Sequence, residues 1–336
     1  MSIVAAELLW KPPLEISDAA SNGGRMANQV AGITSAAKNN IFPDVPQAER
    51  SAGSTKWRKI FIQAANDAGL TLIAPKVFVE TKTPGDDNVM FVAGTQINTQ
   101  SQLTGTEQRY SMGTLYQTIS ANATSLQVDC EDGAGNITQF TTGMKVRISD
   151  RADIGASGNE EYRTLTSATR SGDRFTLGWS GGLTNGYSAN VTKISGVYEP
   201  GDCKTTVVSW TESGAGTYNE ATYPVVDSAL SNIGVIYQVW TLTFTSATAF
   251  GVVGDTVGSV GTGNTSTLFA PVNGVHSKPY FQIRSAGWGG TWANNNTIVF
   301  TTAPAAIPIW YRRVVPIGAA SLSGNSVIVA VDGESS

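Results

Sequence analysis

The chain has 336 residues, of which only 14% are charged, with a net charge of -4 and a single histidine, His276. Its lysines and arginines are scattered, without the basic block that phosphate-backbone binding requires, so nucleic acid is not an expected partner; one imidazole also leaves little from which to build an acid–base or metal site. A charge content well below the roughly 25% of ordinary soluble domains, with 36 glycines, points to surface buried in interfaces, and the length suits about two or three domains.

The apolar stretch within Met1 to Trp10 is too short to span a bilayer and lacks the basic region of a signal peptide, so synthesis in the cytoplasm without membrane insertion is expected. Met26, Val30, Ile33 and Ala37 have helical spacing, weakened by Gly32, and predict a short helix near the N-terminus. Phe42-Pro43-Asp44-Val45-Pro46 ends any helix, because the residue before a proline is pushed out of the α region. Trp57 to Ile62, Lys76 to Glu80 and Asn88 to Val92 then read as strands, joined by Asn66 to Gly69 and Thr83 to Asp86 as turns.

From Thr124 onward alternation dominates, as expected of half-buried strands. Leu126, Val128 and Cys130 share one face; so do Met144, Val146 and Ile148, opposite Lys145, Arg147 and Ser149, and so do Phe175, Leu177 and Trp179. Glu131 to Asn136 and Ser171 to Asp173 have turn chemistry. Trp240, Leu242 and Phe244 alternate with threonines, and Thr297 to Thr301 reads as another strand. The run Val327 to Val331, apolar on both faces, predicts a central strand covered on both sides. Gly251 to Asn264, with five glycines, reads either as a loop or as a pair of edge strands with bulges.

The expected fold is therefore mostly β, with two or three β-sandwich or barrel-like domains. The expected division is an N-terminal β region over 1–110 with the short helix, a middle β domain over 111–199 whose self-contained pattern suits an insertion, and a C-terminal β-sandwich over 200–336. No fixed-period repeat is visible.

Chemistry has few candidates. Asp150, Asp153, Glu160 and Glu161 offer oxygen ligands for calcium, but without EF-hand spacing, and Arg151 and Arg163 stand by to neutralise them. Asp129, Glu131 and Asp132 suit a turn better than a paired-carboxylate glycosidase. His276 has no nucleophile elbow near it, and neither a phosphate loop nor a dinucleotide fingerprint occurs. Trp288 and Trp292, two of eight tryptophans, suit a stacking platform or, more simply, a β core. Cys130 and Cys203 carry no framework signal and read as two buried thiols. No catalytic residue, cofactor or metal is expected.

Three stretches resemble structural proteins encoded among the tail genes of Mu-like transposable tailed bacteriophages and related prophages. They are Ser21-Asn22-Gly23-Gly24-Arg25-Met26 with Asn39 to Val45, Ala48 to Gly53 and Trp57-Arg58-Lys59-Ile60-Phe61; Trp240 to Thr245 with Gly287 to Trp292; and Ile309-Trp310-Tyr311-Arg312-Arg313-Val314-Val315-Pro316 with Asp332 to Ser335. The resemblance covers the two ends of the chain and omits about 113–198. It implies a virion structural protein, foremost a tail-tip or baseplate component that forms a symmetric ring with copies of itself and contacts other tail proteins. The alternatives are a host-surface (carbohydrate or protein) binding module of the tail, or a head or neck protein. Within these motifs Arg25, Arg58, Trp310, Arg312 and Arg313 are the candidate interface residues, since arginine's planar fork suits pairing across an interface; the plainer role for the arginines is ion pairing within one subunit.

Overall fold

The computed structural model describes residues 2–130, 139–227 and 230–335. Strand accounts for 46% of the chain and helix for 5%, so the fold is mostly β.

The framework is built from both ends of the chain. A five-stranded antiparallel sheet runs in the order Leu8–Lys11, Ser54–Ala64, Ala306–Val315, Asn88–Ala93, Arg109–Tyr110. A second layer pairs Leu72–Thr81 with Ile328–Ser335. Ile60, Ile62, Phe91 and Ile309 of the first layer meet Val77 and Val79 of the second in one core. Phe61 points to the opposite side, where it packs with Met26 and Ala306. That is why these central strands are apolar on both faces.

The helical spacing at Met26, Val30, Ile33 and Ala37 does not produce a helix. Met26 ends the strand Gly23–Met26, and the α-helix among the described residues is Gln47–Ala52, beyond the prolines. The segment spends its backbone donors on the neighbouring strand instead: Ala27 N–H donates to Pro12 O at 3.0 Å and Ile33 N–H to Trp10 O at 2.6 Å. Gly32 and the local asparagines offer little intrinsic helicity to compete with that pairing.

Between Arg109–Tyr110 and the return of the chain lie two further units. Met112–Leu115, Ser125–Asp129, Lys145–Ser149, Glu160–Ser171, Arg174–Trp179 and Lys193–Val197 close into a six-stranded barrel, with Val128, Val146, Ile148, Leu177 and Ile194 filling it. The turn at Glu131 to Asn136 lies outside the described residues. Thr206–Glu212, Thr297–Ala303, Gln238–Phe244, Ala249–Gly254 and Gly258–Asn264 then form an open antiparallel sheet in that spatial order. It covers an aromatic core that includes Trp240, Phe244, Phe250, Phe281 and Phe300. The glycine-rich segment is thus two paired strands with a bulge at Val252/Val253, the second of them at the sheet edge. The last thirty residues do not extend this sheet; they return to the framework.

Val327 to Val331 differs from its expected place. The strand Ile328–Ser335 has one ladder partner, Leu72–Thr81, and only Ala330 of that run is buried. Val329→Asp is therefore expected to cost only about 1 kcal/mol, the scale of a partly exposed site, and thermal unfolding of that variant checks it; a loss of several kcal/mol would restore the buried reading.

The cysteines belong to different cores, Cys130 to the barrel and Cys203 to the framework, and neither is in a disulfide. Burial pushes the Cys203 thiol up to about 12, so it stays protonated and inert.

Candidate functional site

Stretches from the two ends of the chain, Ser21 to Met26, Trp57 to Phe61 and Ile309 to Pro316, converge. Register in the framework sheet sets Trp310 opposite Lys59, Tyr311 opposite Arg58, and Arg312 opposite Trp57. The Ser21 to Met26 turn crosses over them. Gly23 has φ +106°, and an added Cβ would lie 2.5 Å from the Trp310 ring, so only glycine fits. Asn22, fully buried, donates from Nδ2 to Trp57 O at 2.9 Å and to Gln100 Oε1 at 3.0 Å. Trp310 donates from Nε1 to Asn98 Oδ1 at 3.2 Å. Lys59 reaches Gly24 O at 2.7 Å and Asn98 O at 2.9 Å, with the Phe61 and Trp310 rings beside its ammonium. Burial pushes that ammonium down to about 7.

The five candidate interface residues have distinct places. Arg58 is buried, pairs with Asp18 at 2.7 Å and donates to Ser17 O at 2.9 Å. Arg313 is buried, donates to Pro43 O at 2.7 Å and lies 4.8 Å from the Phe42 ring centroid, with Glu49 at 3.7 Å. Trp310 is wholly buried. Arg312 is half-buried over the Trp57 ring. Arg58 and Arg313 thus share one face of the framework sheet, both beside the Phe42 ring, while Trp310 and Arg312 lie on the other face. Arg25 stands apart, at the seam with the third unit, in a two-pronged pair with Asp255 at 3.0 and 2.5 Å and beside the Tyr237 ring. Replacing Arg313 would thus leave Pro43 O and the Phe42 ring without their partner inside the chain.

A second constellation escapes the sequence pattern. Arg147, on the nominally polar face of its barrel strand, is fully buried because that face rests on the framework strand Leu72–Thr81. Its Nη1 donates to Glu80 Oε2 at 2.6 Å and its Nε to Glu160, while its guanidinium lies 4.5 Å from the Phe78 ring centroid. Glu80, itself 1% exposed, also takes Lys193 Nζ at 2.8 Å, and Glu160 takes Arg151 at 2.6 Å and the Tyr162 hydroxyl at 2.9 Å. Ser195 Oγ adds a bond to Val79 O at 2.7 Å. The network locks the barrel onto the framework. Burial opposes ionisation of Glu160, but Arg147, Tyr162 and Arg151 outweigh it and hold the carboxyl below its usual range. The available signal was Glu80 itself, a lone carboxylate in the apolar run from Val77.

The other carboxylates offered for chemistry are also engaged. Asp150 accepts the Asn159 N–H at 2.6 Å, Asp153 that of Gly155 at 2.9 Å, and Glu161 binds Arg163 at 2.7 Å and the N–H groups of Thr184 and Asn185. Among the described residues no three His, Cys, Asp or Glu side chains come together as a metal site. Asp129 pairs with Arg174 at 2.8 Å, while Glu131 and Asp132 lie outside the described residues. His276 sits in a turn, its N–H donating to Asn273 O, and burial together with nearby Lys11 pushes its imidazole down. Trp292 is stacked on Phe244 at 4.4 Å and Trp288 meets the same ring edge-on, so both serve the aromatic core.

No protein-family model and no curated protein matches this chain. Among the described residues no helix is long and apolar enough to cross a membrane.

Proposed function

We propose that the chain is a structural protein of a tailed-bacteriophage particle, a tail-tip or baseplate component that assembles into a symmetric ring and catalyses no reaction. The observation that carries this reading is that the phage-like motifs from both ends of the chain meet in one buried knot, where Gly23, Trp310, Lys59 and Asn22 depend on each other's shape. Residues that resemble a family in this way specify a scaffold, since they are spent on packing rather than on an open cleft. The three units are also braced against each other, by Arg147–Glu80 at the barrel and Arg25–Asp255 at the third sheet, as suits a part that bears load. The host-binding alternative gains nothing from Trp288 and Trp292, which pack in the aromatic core.

The chain should be found in purified particles at a copy number that is a fixed multiple matching tail symmetry, and deletion of its gene should give tailless or unstable particles. Mass spectrometry of intact particles and electron microscopy of the deletion mutant check this; complete, infective particles lacking the chain would end the proposal. Clearing of purified peptidoglycan by the protein alone would overturn its non-catalytic part.

A further inference from the structure

The third unit leaves both edges of its sheet open. The outer strands, Thr206–Glu212 and Gly258–Asn264, are each seven residues long. Each has a ladder on one side only, and from Thr206 to Thr211 and from Gly258 to Gly263 no backbone group bonds to any segment outside those ladders among the described residues. Natural proteins usually guard such edges with lysine, proline or an inward charge, because unpaired N–H and C=O groups template further pairing. Here neither strand contains lysine, arginine or proline. Each does carry a bulge on its inner side, at Val207/Ser209 and against Val252/Val253. The one carboxylate, Glu212, is turned back onto Trp210 Nε1 and Tyr218 N–H, both at 2.8 Å. Gly258, Ser259, Gly261 and Gly263 leave room for another backbone to approach, and Val208 projects 56% exposed from the opposite edge.

Direction narrows what fits. Five strands that are antiparallel throughout place the two outer strands parallel to each other. A ring uses one rotation repeatedly, so each contact joins unlike surfaces and preserves strand direction. We propose that the edge Gly258–Asn264 of one copy pairs in parallel with the edge Thr206–Glu212 of the next copy, joining the third-unit sheets into one continuous belt around the ring. This rests on the ring reading above and names its contact. Equal length, shared direction and the absence of like charge make the second edge of another copy the fitting occupant.

The test places charge on Ser209 and Ser259, both exposed and both on the outward face of the sheet. Sedimentation velocity of the full-length protein should show multimers for the wild type and monomers for Ser209→Glu and for Ser259→Glu, with unchanged melting. Combining Ser209→Lys with Ser259→Glu in one chain should restore the multimer, since every junction then brings opposite charges together. Multimers that withstand both single substitutions would refute the edge pairing and leave the ring reading standing. Dissociation by only one of the two single substitutions, or by both without recovery in the combined variant, would refute it in favour of a two-fold contact or another surface. A wild type that stays monomeric at every concentration also refutes the pairing, and particle composition then decides the ring reading separately.

Discussion

Arg147→Ala is expected to lower the free energy of unfolding by about 3 to 5 kcal/mol, the cost of removing one partner from a buried ion pair. The loss has little to do with the strength of the attraction. Glu80 is 1% exposed, and without Arg147 only Lys193 is left to balance it while also bonding Ala152 O. The alanine also uncovers the Phe78 ring on which the guanidinium rests. Two controls separate these contributions. Arg147→Met combined with Glu80→Leu removes both charges and keeps the volume, and should recover most of the loss. High salt should leave the effect intact, because a pair this buried is poorly screened, whereas the half-exposed Arg25–Asp255 pair should weaken. Acid acts in the same direction. The Glu160 carboxyl is held below its unfolded value of 4.5, so its stabilisation is present above that pH and is lost as the pH falls through the lower folded value. Urea unfolding of the single and double variants reads all of this, and a loss under about 1 kcal/mol for Arg147→Ala would show that the junction does not depend on the pair.

Alternation was enough to read the strands at Leu126, Phe175 and Trp240, because each has one face on a core and the period of two survives in the sequence, whereas those at Trp57, Lys76 and Asn88 were legible only as short runs set off by turn chemistry. It misled at Lys145 to Ser149. Alternation distinguishes the two faces of a strand but not what covers the second face, and here the second face is covered by the framework, so Arg147 and Ser149 are as buried as Val146. The same blindness works in reverse at Val327 to Val331, whose continuous apolar run suggests cover on both sides, yet among the described residues it pairs with Leu72–Thr81 alone and leaves Ile328 exposed and Val327, Val329 and Val331 half-buried. The spacing from Met26 to Ala37 was a true periodicity with no helix, overridden by backbone pairing to Trp10 and Pro12 that no local window contains. For the candidate site, the sequence did not show that Arg58 and Arg313 turn inward; that depends on Asp18, Pro43 and Phe42 being folded over them from segments with no strand or helix signal.

Lys59 should make the protein more stable as the pH rises from about 7 to about 8.5, by about 1.5 kcal/mol. Its ammonium is 1% exposed, is held by two carbonyl oxygens and faces no carboxylate, and burial brings its folded pKa down to about 7 from the 10.5 of an exposed lysine. The unfolded chain therefore holds this proton more tightly than the folded one. Below pH 7 the folded state bears the full cost of a charge in the core; as the pH climbs from 7 towards 10.5 the folded amine releases its proton, the unfolded one retains it, and stability grows. The window must close near 8.5, because higher pH begins to ionise cysteine and tyrosine in the unfolded chain, and Cys203 and Tyr110, both pushed up to about 12 by burial, then titrate in the opposite sense. Lys59→Met keeps the packing against Trp310 and Phe61 while removing the titrating group. Its absolute stability also reflects the loss of the bond to Gly24 O, so the informative quantity is the slope. Urea midpoints measured across the window should rise for the wild type and stay flat for the variant. Parallel curves would mean that the two carbonyls and two rings keep Lys59 in one protonation state throughout, and that the knot around Trp310 tolerates a permanent buried charge.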